Sequence, residues 1–276
     1  MNLQIMSNKN LFLSENENKI RNKYLKQGYI VEPASNTKAL DWIRNKFVCI
    51  VREKLNITNG ITDSDVLNLI HEKVPIPELN DFRLSVIKKI NSLSNFRQKY
   101  YQVAKSYLDI IVGNELSMQL KINLSIQFPK DDSSLLPIHA DTWSGDSPFE
   151  VVVWVPLVDC YKTKAMYILP PDKNQVLNND FRRMAGNSSN DLYNSVKKDV
   201  DWIEIKYGEV LIFNQTLPHG NRVNMENETR WSMNCRFKGV FTPYSDKKIG
   251  EFFEPIILKP ASEYGMNYSL PIIKSR

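Results

Sequence analysis

LPIHADTW, at residues 136–143, holds a histidine and an aspartate two positions apart, and LPHG, at residues 217–220, supplies a distant second histidine. Side chains two residues apart on a β-strand point to the same face of the sheet. His139 and Asp141 can therefore direct an imidazole and a carboxylate at one point, where His219 can join them. Two imidazoles and one carboxylate on one side of an ion form the facial arrangement of non-haem Fe(II) sites. We therefore predict a metal site made of these three residues.

A second pattern follows the distal histidine. The run TRWSMNCRF, residues 229–237, alternates as a half-buried strand does and puts Arg230 and Ser232 on one face. An arginine holds a carboxylate through two parallel hydrogen bonds, and a serine hydroxyl can add a third. The pair is therefore a candidate carboxylate anchor beside the metal. Asn234 and Arg236 continue the same face, and the pattern leaves open whether they line a cavity or lie at its rim.

The combined pattern resembles the 2-oxoglutarate and Fe(II)-dependent dioxygenases, with phytanoyl-CoA hydroxylase-like spacing, through His139-x-Asp141, His219 and Arg230-x-Ser232. The run HADTWSGDSPFE at residues 139–150, followed by VWVPLVD at 153–159, is similar to a bacterial subgroup found in carbohydrate biosynthesis clusters. The resemblance implies Fe(II) and O2, with 2-oxoglutarate as co-substrate. It further implies hydroxylation of a C–H bond of a carbohydrate or nucleotide-linked sugar in surface-glycan biosynthesis.

Three further residues are candidate co-substrate contacts by the same resemblance. Trp154 stands where related dioxygenases often place an aromatic wall, Asn221 follows the distal histidine, and Gln127 ends the strand that enters the motif. Packing or turn formation is the alternative for each. No catalytic residue beyond the metal ligands is implied.

Polar groups and an aromatic ring close to the metal motif suit a hydroxyl-rich substrate, although an ordinary rim is the alternative; they are Thr142, Trp143, Asp146 and Glu150. Oxidation of an acyl-CoA or a small amino acid by the same chemistry is a second interpretation of the motif. A cupin-type sugar isomerase or a sugar-binding jelly roll is a third, but neither needs the Arg230-x-Ser232 anchor. A structural protein with a decayed site is disfavoured because no ligand is missing.

Composition narrows the class of protein. The 276 residues carry a net charge of +5 from scattered lysines and arginines, which suits anionic small molecules and predicts no nucleic-acid partner. Three separated cysteines indicate neither a disulfide framework nor a zinc ribbon, so we expect a cytoplasmic protein. No apolar run has the length of a signal peptide or membrane span. Oligomeric state is not readable from these features.

We predict a mainly β fold with helical additions: a double-stranded β-helix (jelly roll, cupin-like) core and an α-helical N-terminal buttress. Helical spacing and caps predict helices over 16–27, from 36, and over 63–71, 81–92 and 96–111, and alternation predicts strands over 29–33, 117–128, 149–158, 165–169, 201–205, 209–213 and 229–240. The expected organisation is one dioxygenase domain over 1–276, with a mostly helical portion at 1–115, a jelly-roll core at 116–245 interrupted by an insertion at 170–200, and a C-terminal extension at 246–276.

Overall fold

The computed structural model describes residues 12–58, 60–181, 186 and 188–271. Its first helix, α1 (Glu15–Gln27), begins at a capping box in which Ser14 and Glu17 satisfy each other's backbone N–H groups. The helix ends at Gly28, whose φ of 74° is a left-handed conformation that costs glycine little. The chain can therefore turn at once into strand β1 (Tyr29–Pro33).

Four further helices complete the N-terminal portion: α2 (Thr37–Leu55), α3 (Asp63–Asn68), α4 (Leu79–Asn91) and α5 (Phe96–Ile111). Their apolar stripes are buried against the sheet, and Trp231 shows how. Its ring packs edge-on against Phe47 and Phe82, and its indole N–H donates to the carbonyl of Leu67 at 2.9 Å. The helices thus cover the outer face of the strand that carries Trp231.

The remaining strands are β2 (Leu116–Gln119), β3 (Asn123–Gln127), β4 (Glu150–Pro156), β5 (Met166–Ile168), β6 (Asp201–Ile203), β7 (Glu209–Asn214), β8 (His219–Gly220), β9 (Arg230–Gly239) and β10 (Phe253–Ile257). The larger sheet has the order β1-β7-β4-β9-β2-β10, with β3 also on β9, and the smaller has the order β6-β5-β8. All strand pairs within them are antiparallel.

The predicted insertion lies between β5 and β6 and contains helices α6 (Pro171–Asp180) and α7 (Ser189–Val196). A last short helix, α8 (Pro260–Met266), follows β10. Within the described part of the chain, no helix is long and apolar enough to cross a membrane.

The combination of helices and antiparallel sheet expected from the sequence is confirmed, while the jelly-roll topology and the single-domain boundaries stay predictions. One predicted strand was wrong: residues 117–128 form two strands rather than one. Both strands pair with β9, but Met118 lies opposite Phe237 whereas Asn123 lies opposite Asn234. Between these two pairings, the four residues 119–122 correspond to only two residues of β9, 235–236. The two additional residues bend the chain between β2 and β3.

Candidate metal and carboxylate site

The two histidines of the predicted site face each other across a single antiparallel bridge. The N–H of His139 donates to the carbonyl of His219 at 3.0 Å, and the reverse bond is 2.8 Å. Each ring also bonds through Nδ1 to a backbone carbonyl two residues earlier, Pro137 at 2.8 Å and Leu217 at 2.9 Å. A carbonyl can only accept, so in the neutral ring Nδ1 carries the proton and the Nε2 lone pair is free for a metal.

Asp141 joins the histidines from a short helical turn. We expected His139 and Asp141 on one strand, and this was wrong: Asp141 opens a 3₁₀ turn over Asp141–Ser144. Its backbone N–H donates to the carbonyl of Gln215 at 3.1 Å, which holds the turn beside the bridge. Its Oδ1 lies 3.5 Å from Nε2 of His139. One donor atom each from His139, Asp141 and His219 lies within 4.8 Å of the others, so this group can hold a metal ion.

The surroundings of the group favour the protonation states that a metal needs. Burial opposes the charge on Asp141, but the hydrogen bond from His139, together with His219 and Arg236, lowers the pKa of the carboxyl well below its usual range. Burial, with the neighbouring His139, lowers the pKa of His219 to about 4. Burial also lowers the pKa of His139, but hydrogen bonds to Asp141 and Pro137 outweigh it and the net shift is upward. At neutral pH a carboxylate and the neutral His219 are therefore available.

The third histidine of the chain is elsewhere. His71 follows α3, and its Nδ1 bonds to the hydroxyl of Thr229 at 2.9 Å. It packs at an angle on Phe128. His71 is therefore not part of the group that can hold a metal ion.

A cavity of about 390 Å³ opens beside the three donor residues, and Arg230 and Ser232 line it together with them. The side chain of Arg230 is buried, yet its Nε and Nη1 have no hydrogen-bond partner among the residues that the structure describes, and the Ser232 hydroxyl has none there either. Only Nη2 of Arg230 is engaged, with the hydroxyl of Ser125 at 3.1 Å. Buried donors without partners are rare in proteins. Three neighbouring ones in a cavity form a ready site for an anion such as a carboxylate.

Burial lowers the pKa of Arg230 to about 10, so the guanidinium is still charged at neutral pH. No carboxylate within ion-pair distance of Arg230 occurs among the described residues. A buried cation without a counter-ion is costly. A bound anion would remove that cost.

The three further candidates are placed differently. Trp154 is buried and lines the cavity. Asn221 also lines it, but its Oδ1 accepts from the N–H of Leu136 at 2.6 Å, so its amide helps to hold the chain that precedes the metal motif. Gln127 is outside the residues that line the cavity, and its Nε2 donates to the carbonyl of Arg222 at 2.7 Å. The structure therefore brings Trp154 and Asn221 to the cavity but not Gln127.

The rim interpretation of Asp146 and Glu150 was wrong. Both are buried. Asp146 pairs with Arg236 and Lys247, and Glu150 accepts from Gln215 at 2.8 Å. Arg236 and Lys247 thus offset the charge of Asp146, while Gln215 and the N–H of Ser147 hydrogen-bond Glu150, so both carboxylates are already engaged within the protein. Trp143 is 40% exposed as a rim residue should be, and its ring lies 4.9 Å from that of Phe181 at the end of α6.

Sequence reasoning missed several residues of the site. Arg236 lines the cavity, which settles the alternative left open for it, but its ion pair with Asp141 was not foreseen. Gln215 and Arg83, the latter from α4, were not considered as site residues. Alternation along β9 placed Arg236 on the correct face but does not indicate its partner, and nothing in the local sequence points to the other two.

No protein-family model and no curated protein sequence matches this chain. Solved structures do match it. The nickel complex of ThoJ, a non-haem monooxygenase, has a TM-score of 0.55 at 12% identity, covering 87% of this chain and 84% of ThoJ. The non-haem α-ketoglutarate-dependent epimerase SnoN, in complex with Fe3+, α-ketoglutarate and nogalamycin RO, has a TM-score of 0.50 at 12% identity, covering 85% of this chain and 88% of SnoN.

At this level of identity the similarity establishes the fold. The chain has the fold of non-haem metal enzymes, one of them crystallised with iron and α-ketoglutarate. In that fold it carries a group of two histidines and one aspartate that can hold a metal ion. The expectation of a non-haem iron and 2-oxoglutarate fold is confirmed, whereas the phytanoyl-CoA hydroxylase-like subgroup stays a prediction.

Proposed function

We propose that the protein is an Fe(II) and 2-oxoglutarate-dependent oxygenase that oxidises a C–H bond of a small molecule. One observation carries the proposal. The buried donors of Arg230 and Ser232 lack partners in the same cavity that contains the two histidines and the aspartate. A group that can hold a metal fits many proteins, whereas such a group and a carboxylate anchor in one cavity together fit a 2-oxo diacid.

The donor set fits Fe(II). His139, Asp141 and His219 would hold the ion on one side, as two imidazoles and one carboxylate do in non-haem oxygenases. When bound, the iron would supply the activation of O2, which is coupled to the oxidative decarboxylation of 2-oxoglutarate to succinate and CO2 and to the oxidation of the substrate.

The protein's own residues bind and orient the reactants. Nε and Nη1 of Arg230 would donate to the carboxylate of 2-oxoglutarate that lies away from the metal, and the Ser232 hydroxyl would add a third bond. Trp154 and Phe213 are buried side chains of the cavity wall and would restrict the co-substrate to one position. Phe213 also packs edge-on against His219, with ring centroids 4.8 Å apart, and so fixes the orientation of that imidazole.

A carbohydrate or nucleotide-linked sugar is the substrate class we propose, with an alcohol as product and surface-glycan biosynthesis as the setting. Polar side chains along the cavity support it: Asn123, Ser133, Ser134 and Asn234. Hydroxyl groups of a sugar would bond to such amides and hydroxyls. Arg83 at the same cavity suits a phosphorylated carrier. The jelly-roll core is part of this proposal, since it is the scaffold on which the resembling enzymes build their site.

An anaerobic titration tests the proposed function. Fe(II) and then 2-oxoglutarate are added to the metal-free protein, and the weak visible charge-transfer band of a chelated 2-oxo acid is followed. We expect the band in the wild type, and in Arg230→Ala only at about 10–100-fold higher 2-oxoglutarate, since charge-assisted hydrogen bonds are lost. Arg222→Ala is the matched control, because Arg222 stacks on Tyr193 outside the cavity.

Each outcome decides something. A band that needs the same 2-oxoglutarate concentration in Arg230→Ala as in the wild type removes Arg230 from the anchor role. Metal binding without any band contradicts the dioxygenase proposal and favours a cupin-type isomerase or binding protein. If the band forms, release of succinate with a panel of sugar nucleotides tests the substrate class.

A further inference from the structure

Arg236 is a second arginine on the cavity face of β9, and all three of its nitrogens have partners. Its side chain is 14% exposed, and its Nη2 lies 2.8 Å from Oδ1 of Asp141. Its Nε lies 3.2 Å from Oε1 of Gln215 and 3.3 Å from Oδ1 of Asp146. Its Nη1 lies 3.5 Å from Oε1 of Gln119. The guanidinium therefore bridges four side chains from different parts of the chain.

These contacts distinguish Arg236 from a substrate-binding arginine. A guanidinium that recognises an anionic ligand keeps its forked donors free for that ligand. The donors of Arg236 are already engaged with the protein, so a ligand would have to displace Asp141 or Asp146. The arrangement fits a residue that acts on its protein neighbours.

The oxygen that Arg236 contacts is also the one beside the first histidine. Oδ1 of Asp141 lies 3.5 Å from Nε2 of His139, the nitrogen left free for a metal. An ionised carboxylate offers about four lone-pair positions on its two oxygens. Arg236 can hold one position on Oδ1 while another stays directed at the metal. We infer that Arg236 is a positioning residue that fixes the Asp141 carboxylate in its metal-binding orientation before the ion arrives. This inference rests on the proposed function.

The partners of Arg236 are themselves held in place, which makes the orientation specific. Asp146 has a second cation, Lys247. Nε2 of Gln215 donates to Glu150 and to the carbonyl of Ser147, both at 2.8 Å. The carbonyl of Gln215 in turn accepts from the N–H of Asp141 at 3.1 Å. Gln215 therefore holds the backbone of the ligand residue and, through Arg236, its side chain.

The ladder on one side of Arg236 is interrupted. Arg236 is paired with Val152 of β4, but on the other side of β9 it lies in the gap between the pairings with β2 and β3. The backbone N–H of Arg236 donates to Oε1 of Gln119 at 3.2 Å, the atom that also lies near Nη1. The same side-chain oxygen thus occupies the interrupted ladder position and contacts the guanidinium.

Metal affinity tests the inference without any turnover. Metal-free wild type, Arg236→Met and Arg236→Lys are titrated with Co(II) in competition with a chromophoric chelator. We expect Arg236→Met to bind Co(II) about 10–100-fold more weakly than the wild type, the usual effect of losing an outer partner of a metal ligand. Arg236→Lys keeps the charge but loses the fork, so we expect a smaller loss in the same direction. The visible spectrum of bound Co(II) should change in both variants.

Lys238→Met is the matched control. Lys238 is a buried cation two residues further along the same strand, but its Nζ donates to the carbonyl of Pro243 and it does not contact Asp141. We expect it to bind Co(II) as the wild type does. Circular dichroism and thermal unfolding establish that each variant is folded.

The results separate the inference from the proposed function. Wild-type or tighter Co(II) affinity in folded Arg236→Met overturns the inference, since Arg236 would then only repel the ion. If that variant does not fold, wild-type affinity and an unchanged spectrum in Arg236→Lys overturn it equally. Failure of the wild type to bind Co(II) at all contradicts the proposed metal site instead.

Discussion

Strand β9 carries an arginine at each end of its cavity face, Arg230 buried and Arg236 mostly buried, and the two differ in what surrounds them. Arg236 has partners on Nε, Nη1 and Nη2, including the carboxylates of Asp141 and Asp146. Among the described residues, Arg230 has one partner, the hydroxyl of Ser125, and its Nε and Nη1 have none. Alternation along the strand places both arginines on the same face, but their environments differ.

The difference separates a side chain that the fold needs from one that a ligand needs. A buried charge is tolerated when it is paired and hydrogen-bonded, as Arg236 is. A buried charge without a partner lowers the stability of the ligand-free protein, and it persists where binding recovers the loss. The cavity face of β9 therefore contains a paired arginine at one end and, at the other, an arginine whose free donors suit an anion.

The comparison of the two arginines depends on the three candidate metal-binding residues that line the same cavity. Removal of one of these residues should therefore have the largest effect. We expect His219→Ala to bind Co(II) more than about 100-fold more weakly than the wild type, because the protein loses a direct metal ligand. The loss of an outer partner of a ligand accounts for no more than about 100-fold. Calorimetric titration of the metal-free protein measures it. His71→Ala is the control, since that histidine bonds to Thr229 away from the group. Equal affinity in His219→Ala and the wild type would exclude the site.

Arg236→Met should destabilise the metal-free protein by about 3–5 kcal/mol, the usual loss when one partner of a buried ion pair is removed. The reason is that Asp141 loses its close cation and Asp146 keeps only Lys247. Urea unfolding at neutral pH, with metal removed by a chelator, measures the free energy of unfolding. A loss below about 1 kcal/mol would mean that the ion pairs of Arg236 contribute no more to stability than solvent-exposed ion pairs do.

Much of the fold was accessible from the sequence because its signals are local. The helix predicted over 96–111 is α5 (Phe96–Ile111), and the strand predicted over 229–240 contains β9. Helix caps, apolar spacing and alternation depend on residues that are close together in the chain, so they can be recognised in a single sequence. The three donor residues could be selected for a related reason: the chain has three histidines, and two of them stand in a recognisable motif.

The parts that failed depend on contacts between distant residues. Asp146 and Glu150 resembled an exposed rim because acidic residues are mostly exposed. They are buried because Arg236, Lys247 and Gln215, all far along the chain, satisfy them. No periodicity within a strand encodes such pairs. The two arginines of β9 illustrate the same limit, since sequence alternation assigns both to one face and cannot state which is paired.

Arg230→Met should have the opposite sign to Arg236→Met. We expect it to raise the free energy of unfolding of the ligand-free protein by about 1–3 kcal/mol, because it removes buried donors that have no partners and fills the same space. The same urea experiment measures it. With Co(II) already present, adding 2-oxoglutarate should then stabilise the wild type further but leave the variant much less affected. A destabilised Arg230→Met would show that Arg230 has a structural role like that of Arg236.

Ser232→Ala should have the smallest effect and defines the edge of the proposed carboxylate anchor. The hydroxyl of Ser232 is buried without a partner, so its loss should leave the free energy of unfolding within about 0.5 kcal/mol or slightly raised. The affinity for 2-oxoglutarate should fall about tenfold, because one hydrogen bond to a charged group is worth at least about 1.5 kcal/mol. The anaerobic band titration measures the affinity, and Ser125→Ala serves for comparison, since that hydroxyl accepts a bond from Arg230 and orients the guanidinium. Unchanged affinity in Ser232→Ala would confine the carboxylate to Arg230 alone, and the free hydroxyl would then belong to the space left for the substrate.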